Sequence, residues 1–224
     1  MNCSNKALTD LLLHQLRNYW TDIDEDCIAS AVDSAMEMIE KNYKGLPNRR
    51  YFNDGQVVFS PYISVQWMNF LYRVSRAIYL KNGYCDSADQ VYYLNKIMHS
   101  VDWFYAIDLP EHFLCEHPLG TILGRAEYSD HLFVYQGVTV GGNRKNGELQ
   151  YPKIGENVML YANATVLGDT RIGNNVIVSA DTYLINAEIP DNCIVFGHSP
   201  DITIVNKSET QIKEYTDYIW GWKK

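Results

Sequence analysis

The sequence predicts an α+β protein in which an α-helical N-terminal domain is followed by a parallel β-helix. Two observations carry this fold class. Apolar residues in the first hundred positions recur at the three- and four-residue spacing of helices, whereas beyond Pro110 they recur every sixth residue. A six-residue period fits neither a strand nor an α-helix. It does fit one face of a triangular coil whose full turn takes about eighteen residues.

The helical region is predicted to contain several segments. Leucines at helical spacing mark the first, and Asp24 can cap the second. The third runs from Tyr62 to Leu80, and the fourth begins at Asp86 and extends through Trp103. A further short helix is expected in the tail, between Glu209 and Trp222.

The six-residue repeat is clearest from Ile154 onward. Every sixth residue is apolar, and the fourth residue after each one is small or β-branched. These two sets are Ile154, Leu160, Val166, Ile172, Val178 and Leu184, and Val158, Ala164, Thr170, Val176 and Thr182. The same register upstream comprises Ile122, Tyr128, Val134 and Val140, with Ala126, Leu132 and Val138. Both sets are expected to fill a narrow interior, while Gly and Asn form the corners.

The six-residue spacing is interrupted between Val140 and Ile154. The intervening segment, GGNRKNGELQYPK, contains glycines and charges and has no apolar period. It is therefore predicted to be a loop that leaves the coil.

Composition excludes several classes of function. The 19 Lys and Arg residues are outnumbered by 27 Asp and Glu residues, which gives a net charge of −8. Nucleic acid and anionic membrane surfaces are therefore unexpected partners, because both require a basic patch. No apolar run approaches the roughly 20 residues of a membrane span.

Cysteine usage and the N-terminus predict a cytoplasmic protein. The five cysteines are odd in number, scattered and without a CxxC pair, so neither a disulfide framework nor a zinc site is expected. The first ten residues lack the basic and apolar regions of a signal peptide. The predicted domains are a helical domain over 1–109, a β-helix over 110–204 and a tail over 205–224.

Several motifs in the C-terminal half resemble those of serine O-acetyltransferases, which belong to the hexapeptide-repeat acyltransferases. HPLG at 117–120 resembles the family's acid-His-x-x-Gly segment, and QGVTVGG at 136–142 resembles its Q-[S/N]-V-T-[L/I]-G-G. YPKI at 151–154 is similar to its His-Pro-x-[I/L], and IPDN at 189–192 with GHSP at 197–200 resembles the end of its β-helix.

This resemblance implies a left-handed coil, a homotrimer or a larger assembly such as a hexamer, and acetyl-CoA as the acetyl donor. The cofactor would lie between neighbouring subunits. Ala162 and Ala180 match small positions of the family's cofactor channel, and Gly141, Gly142, Tyr161 and Ser179 are the other candidate cofactor-binding residues, although Tyr161 is bulkier than the family's usual glycine. Glycine permits close approach of the backbone to a pantetheine arm.

The resemblance also implies the residues that act on the acceptor hydroxyl. His117 is the candidate general base, since a histidine can take a proton from a hydroxyl near neutral pH. Glu116 and Asp108 are candidates for holding the acceptor or orienting the base. No multi-histidine cluster is apparent across the coils, so no metal site is predicted.

The acceptor itself is left open by the sequence. Gln150 and Tyr151 occupy the positions of the family's arginine and second histidine, and a neutral Gln cannot pair with a carboxylate. Tyr151 and Arg144 are candidate substrate-binding residues, and Arg144 or Lys145 could replace the missing arginine. A sugar hydroxyl is the alternative acceptor to serine. A non-catalytic β-helical scaffold is a further alternative.

Overall fold

A computed structural model of the protein describes residues 4–222. The chain forms two compact units, of which the first ends at Ala106 and the second begins at Ile107. None of the helices in the described part of the chain is long and apolar enough to cross a membrane.

From residue 4 onward, the first unit consists of four helices and three short strands. In chain order these elements are α1 (Asn5–Leu16), α2 (Glu25–Tyr43), β1 (Phe52–Asn53), β2 (Gln56–Val57), α3 (Ser64–Asn82), α4 (Asp86–His99) and β3 (Asp102–Trp103). Asp24 caps α2 as predicted, because its side chain accepts a hydrogen bond from the Cys27 backbone. The fourth predicted helix was too long. It ends at His99, where Ser100 adopts a left-handed conformation, and Trp103 lies in β3 instead.

The second unit is a parallel β-helix of about five coils. One face of the coil contains β4 (Phe113–Cys115), β7 (Leu132–Val134), β12 (Val158–Leu160), β15 (Val176–Val178) and β18 (Cys193–His198). The next face contains β5 (Ile122–Leu123), β8 (Thr139–Gly141), β13 (Thr165–Leu167) and β16 (Tyr183–Ile185). The third face contains β6 (Glu127–Tyr128), β11 (Lys153–Ile154), β14 (Arg171–Ile172) and β17 (Glu188–Ile189).

The predicted interior of the coil is confirmed from Ile154 to Leu184. Every residue of both repeat sets in this stretch has an exposed fraction of 4% or less. Strand pairing follows the same register, since Val158 pairs with Val176 in the next coil. The core of this unit is therefore a column of stacked Val, Leu, Ile, Ala and Thr side chains, and each coil covers the end of its neighbour.

The predicted register is wrong at Ile122, in the first coil. Ile122 is 46% exposed, and Leu123 is the buried residue that pairs with Val140. Seven residues separate Cys115 from Ile122, whereas five separate the paired residues Val134 and Thr139 in the second coil. The first coil thus has two extra residues at its first corner, and the inward position moves from Ile122 to Leu123, whereas Tyr128 still pairs with Ile154 as the register predicts.

The predicted loop between Val140 and Ile154 is a β-hairpin. Strand β9 (Asn143–Lys145) pairs antiparallel with β10 (Glu148–Gln150). The two connecting residues, Asn146 and Gly147, both have positive φ, at 52° and 85°. This is the Asn-Gly combination favoured by two-residue hairpin turns. The insertion is therefore an ordered projection from the second coil.

The chain leaves the coil through β19 (Asp201–Asn206), which pairs antiparallel with β18. The tail then forms α5 (Glu209–Trp220), in agreement with the predicted short helix. Ser208 and Gln211 form a reciprocal capping box at its start. Trp220 is buried against the rings of His131 and Phe133, so α5 packs on the outer side of the face that contains β7.

Candidate active site

His117 lies on the first corner of the first coil, in the two-residue insertion. Its φ is +51°, a left-handed conformation that exposes 78% of its side chain. The corner is fixed from below by Thr121, which is fully buried and donates its hydroxyl to the Pro118 carbonyl at 2.8 Å. The insertion thus presents an imidazole outside the regular coil on a rigid support.

Glu116 provides the carboxylate beside His117. Its Oε1 lies 4.0 Å from His117 Nε2, which is too long for a hydrogen bond. The Glu116 backbone N–H donates to Val134 in the next coil, so the carboxylate extends from a fixed strand end. Asp108 is exposed at the start of the second unit, and its role stays a prediction.

In the next two coils, the corner position of Glu116 is occupied by tyrosines. Tyr135 and Tyr161 stack with their ring centroids 5.1 Å apart, and the Tyr135 hydroxyl lies 3.2 Å from that of Tyr218 on α5. Burial raises the pKa of Tyr135, and its contacts with Tyr218 and Glu116 raise it further. Burial also raises the pKa of Tyr161. Both rings therefore remain neutral phenols at physiological pH. The sequence analysis did not identify Tyr135, since the hairpin insertion hides its one-coil spacing from Tyr161.

The other predicted cofactor positions follow successive coils. Ala162 and Ser179 are half-buried, and Ala180 is exposed. The Ala162 carbonyl and the Ser179 N–H are both used in bonds between coils, so these residues offer their side chains to a ligand. Their role in binding stays a prediction.

Gly141 and Gly142 differ in their surroundings. A β-carbon at Gly141 would make only an ordinary contact with Leu167, at 3.8 Å. A β-carbon at Gly142 would lie 2.8 Å from Cε1 of Tyr151. Glycine at 142 therefore allows the Tyr151 ring to pack directly on the backbone.

Tyr151 also contacts Arg125, which the sequence analysis did not identify. The Arg125 guanidinium lies 5.1 Å from the centroid of the Tyr151 ring, and its Nη1 donates to the Tyr151 hydroxyl at 3.2 Å. The two predicted replacements for the family's arginine have other contacts. Arg144 donates to the Gly147 carbonyl, and Lys145 lies 3.9 Å from a carboxylate oxygen of Asp169.

A cluster that the sequence did not predict joins two coils at His112, Asp130 and His131. Both Nδ1 atoms approach Oδ2 of Asp130, at 2.7 and 3.2 Å. The imidazole rings are stacked within 8° of parallel, with centroids 4.5 Å apart. One metal ion could not lie in both ring planes in this arrangement. Asp130 instead accepts the His112 backbone N–H and connects the start of β4 to the start of β7.

The comparison with protein families identifies the repeat in the second unit. The family described as bacterial transferase hexapeptide (six repeats) matches residues 151–186. This stretch contains the strands from β11 to β16, where the interior register is regular. The second unit is a left-handed parallel β-helix of hexapeptide repeats.

Within this class the chain is similar to serine acetyltransferases, as the motifs predicted. It is 31% identical to the serine acetyltransferase of Synechococcus elongatus over 106 residues, which are 47% of this chain and 43% of that protein. It is 36% identical to that of Staphylococcus xylosus over 83 residues, which are 37% and 38% of the two chains. The matched segment spans less than half the length of each relative.

Solved serine acetyltransferases share the fold over almost the whole chain. The structure from Neisseria gonorrhoeae has a TM-score of 0.67 at 22% identity and covers 93% of this chain and 80% of that one. The structure from Vibrio cholerae has a TM-score of 0.71 at 19% identity, with coverage of 95% and 84%. The helical unit and the β-helix both belong to this shared architecture.

Proposed function

We propose that this protein is an acetyl-CoA-dependent O-acetyltransferase with serine as its acceptor. The observation that carries the proposal is the exposed imidazole of His117, presented next to Glu116 by an insertion in the coil. The similarity to serine acetyltransferases supports the reaction class. Among the similar solved structures, one is a serine acetyltransferase in complex with CoA, and the Neisseria gonorrhoeae enzyme has been solved with serine.

In the proposed reaction His117 takes the proton from the acceptor hydroxyl. The hydroxyl oxygen attacks the thioester carbonyl, a C–O bond forms, and the C–S bond of acetyl-CoA breaks. The imidazolium then returns the proton to the departing thiolate, so protons and charge balance. General-base catalysis of this kind contributes about 10²–10⁴-fold. Glu116 would stabilise the imidazolium, and Gly141 would face the thioester.

The acetyl-CoA site is proposed to lie between subunits of a homotrimer or a larger assembly such as a hexamer. His117 is on an exposed corner, so a neighbouring surface is needed to exclude water from the reacting atoms. The stacked Tyr135 and Tyr161, together with Ala162 and Ala180, would form one wall. The predicted cytoplasmic location fits the free cysteines at 27, 85, 115 and 193.

Replacement of His117 tests this proposal directly. With acetyl-CoA and L-serine, we expect the His117→Ala variant to lose about 10²–10⁴-fold in kcat. His14→Ala is the matched control, because His14 is an exposed histidine of the first unit, far along the chain from the corner. Release of CoA thiol is measured, and circular dichroism checks the fold. Wild-type turnover by the His117→Ala variant would refute the mechanism.

A sugar hydroxyl is the second candidate acceptor. The neutral Gln150, in the position of the family's arginine, favours it. Parallel assays with L-serine, nucleotide-sugars and oligosaccharides separate the two acceptors, and efficient turnover of serine alone excludes the sugar.

Tyr151, in the position of the family's second histidine, favours a third candidate, a non-catalytic scaffold. A protein that binds acetyl-CoA must become more stable in its presence. The absence of a thermal shift at millimolar acetyl-CoA would therefore favour the scaffold.

A further inference from the structure

We infer that Arg125, positioned by Tyr151, binds the carboxylate of the amino-acid acceptor. This inference rests on the proposed acetyltransferase function and identifies a specificity-determining residue for it. Arg125 is exposed on the corner that follows β5, in the first coil.

The guanidinium of Arg125 is held in place but has no ionic partner. Its contacts in the described structure are the ring and the hydroxyl of Tyr151, both of which are neutral. Other arginines of this unit differ: Arg171, for example, pairs with Asp169 at 3.2 Å and with Glu188 at 3.4 Å. Within residues 4–222, no carboxylate forms an ion pair with Arg125. An oriented guanidinium of this kind presents its planar donors to an incoming anion.

Stacking on Tyr151 also lowers the entropy cost of binding a ligand at Arg125. A free arginine side chain loses rotamer entropy when it binds a ligand, whereas one already restrained by an aromatic face loses less. The Tyr151 ring is itself restrained, because it packs on the backbone of Gly142. Arg125, Tyr151 and Gly142 therefore form a preorganised group.

This group adjoins the segment proposed to face the thioester. Gly124 donates its N–H to the Val140 carbonyl at 2.8 Å, and a β-carbon at Gly124 would lie 3.5 Å from Cα of Gly141. The chain is thus in close contact with the Gly141 backbone one residue before Arg125. A carboxylate bound at Arg125 would keep a small acceptor next to the acetyl group.

Charge also favours a carboxylate as the ligand. Arg144 and Lys145 of the hairpin, which could otherwise perform this role, already contact Gly147 and Asp169. A guanidinium can bind both oxygens of a carboxylate, and such bidentate pairs are among the stronger polar contacts in proteins. Arg125 would thus supply the function that the neutral Gln150 cannot.

The test compares L-serine with L-serinamide, which retains the hydroxyl but has no carboxylate. We expect Arg125→Ala to lower kcat/KM for L-serine by about 10- to 100-fold, mainly through KM. The same change should leave kcat/KM for L-serinamide within about twofold of the wild-type value. Arg125→Lys keeps the charge but not the planar donors, so it should recover only part of the loss. Arg171→Ala is the control for loss of an exposed arginine on the same β-helix.

Two kinetic outcomes would overturn the inference. Equal losses for L-serine and L-serinamide would indicate a structural role, and unchanged kinetics with L-serine would indicate no role. Binding separates this inference from the proposed function. If the wild type does not turn over serine, but serine raises its melting temperature and Arg125→Ala abolishes that rise, the proposed function fails and the carboxylate site stands. If L-serine produces no shift in an inactive wild type, both fail.

Discussion

At the scale of single residues, the position of Tyr151 depends on the missing side chain of Gly142. The ring edge lies 2.8 Å from where a β-carbon would be, and the Gln150 carbonyl lies 3.1 Å from the same point. Alanine at 142 must therefore displace the ring, and the contact between Tyr151 and Arg125 would be lost with it. Small displacements of positioning groups have large kinetic effects.

We expect Gly142→Ala to lower kcat/KM for L-serine by about 10- to 100-fold with little change in folding stability. The effect should disappear in a Tyr151→Ala background, because no ring remains to be displaced. The measurement is a double-mutant cycle on kcat/KM. Full additivity of the two substitutions would contradict the predicted coupling.

His99 makes the first unit sensitive to acid. Asn95 donates its side-chain amide to the Met68 carbonyl, so its oxygen accepts a hydrogen bond from Nδ1 of His99 at 2.8 Å. Burial lowers the pKa of His99 to about 4, because the imidazolium would lose its hydration. The same group titrates near 6.5 in an unfolded chain.

The sign of the pH effect follows from this lowered pKa. Below about pH 6.5 the unfolded chain binds a proton that the folded chain does not, so stability falls until about pH 4 and the loss reaches about 3 kcal/mol. Urea unfolding at pH 7 and pH 4.5 measures this contribution. We expect His99→Gln to have a shallower decrease than the wild type. Equal decreases in the two proteins would show that another group is responsible.

Among the elements, α5 packs against the outer side of one face of the β-helix, where Trp220 contacts Phe133 of β7. The middle residues of β4, β7, β12 and β15 point outward, yet each is nearly buried. These residues are Leu114, Phe133, Met159 and Ile177, with exposed fractions of 5%, 5%, 1% and 5%. Successive side chains of a strand point to opposite faces of a sheet, so without a covering element these four outward side chains would be exposed to water.

Trp220→Ala should therefore destabilise the second unit by about 3 kcal/mol or more, as expected for loss of a buried tryptophan. Tyr215→Ala on the same helix is the matched control, since Tyr215 is 50% exposed and its loss should cost little. Urea denaturation measures both effects. A similar stability for both variants would show that α5 does not stabilise the coil.

The elements also show what could be predicted from the sequence. The interior repeat was predictable from Ile154 onward because each inward position is selected by the same narrow space. Ile122 was assigned inward because the extra residues at His117 and Pro118 cannot be seen in a one-dimensional period. The His112–Asp130–His131 cluster was missed for a related reason, since it depends on which corners lie above each other. Arg125 was missed because its contact with Tyr151 crosses the hairpin insertion.

In the proposed oligomer, the site is expected to combine residues of two subunits. His117 and Arg125 lie at the two ends of the face that contains β5, in the same coil. Five residue steps lead from Gly120 to Arg125, and an extended backbone covers about 16 Å over five steps at about 3.3 Å each. That span is far longer than a serine molecule, so we expect that, if His117 and Arg125 act on the same serine, they belong to different subunits of the proposed oligomer.

Mixed oligomers test this arrangement. The His117→Ala and Arg125→Ala proteins are mixed, unfolded and refolded together. About one quarter of the sites should then be intact, because each site has about a one-in-two chance of an intact His117 from one subunit and about the same chance of an intact Arg125 from its neighbour. Activity is measured at a serine concentration well below the KM of the Arg125→Ala variant. Activity no higher than the mean of the two separate variants would place both residues in the same subunit's site.

The antiparallel pairing of β19 with β18 has a consequence for growth of the solenoid. A stack of parallel strands that ended at β18 would offer unpaired backbone groups, onto which a coil from another molecule could add. Here the chain reverses direction and occupies that edge with its own strand, over six residue pairs from Cys193 to His198. Strand β19 thus caps this edge of the β-helix, so that the coils of another molecule cannot add to it and form a fibre.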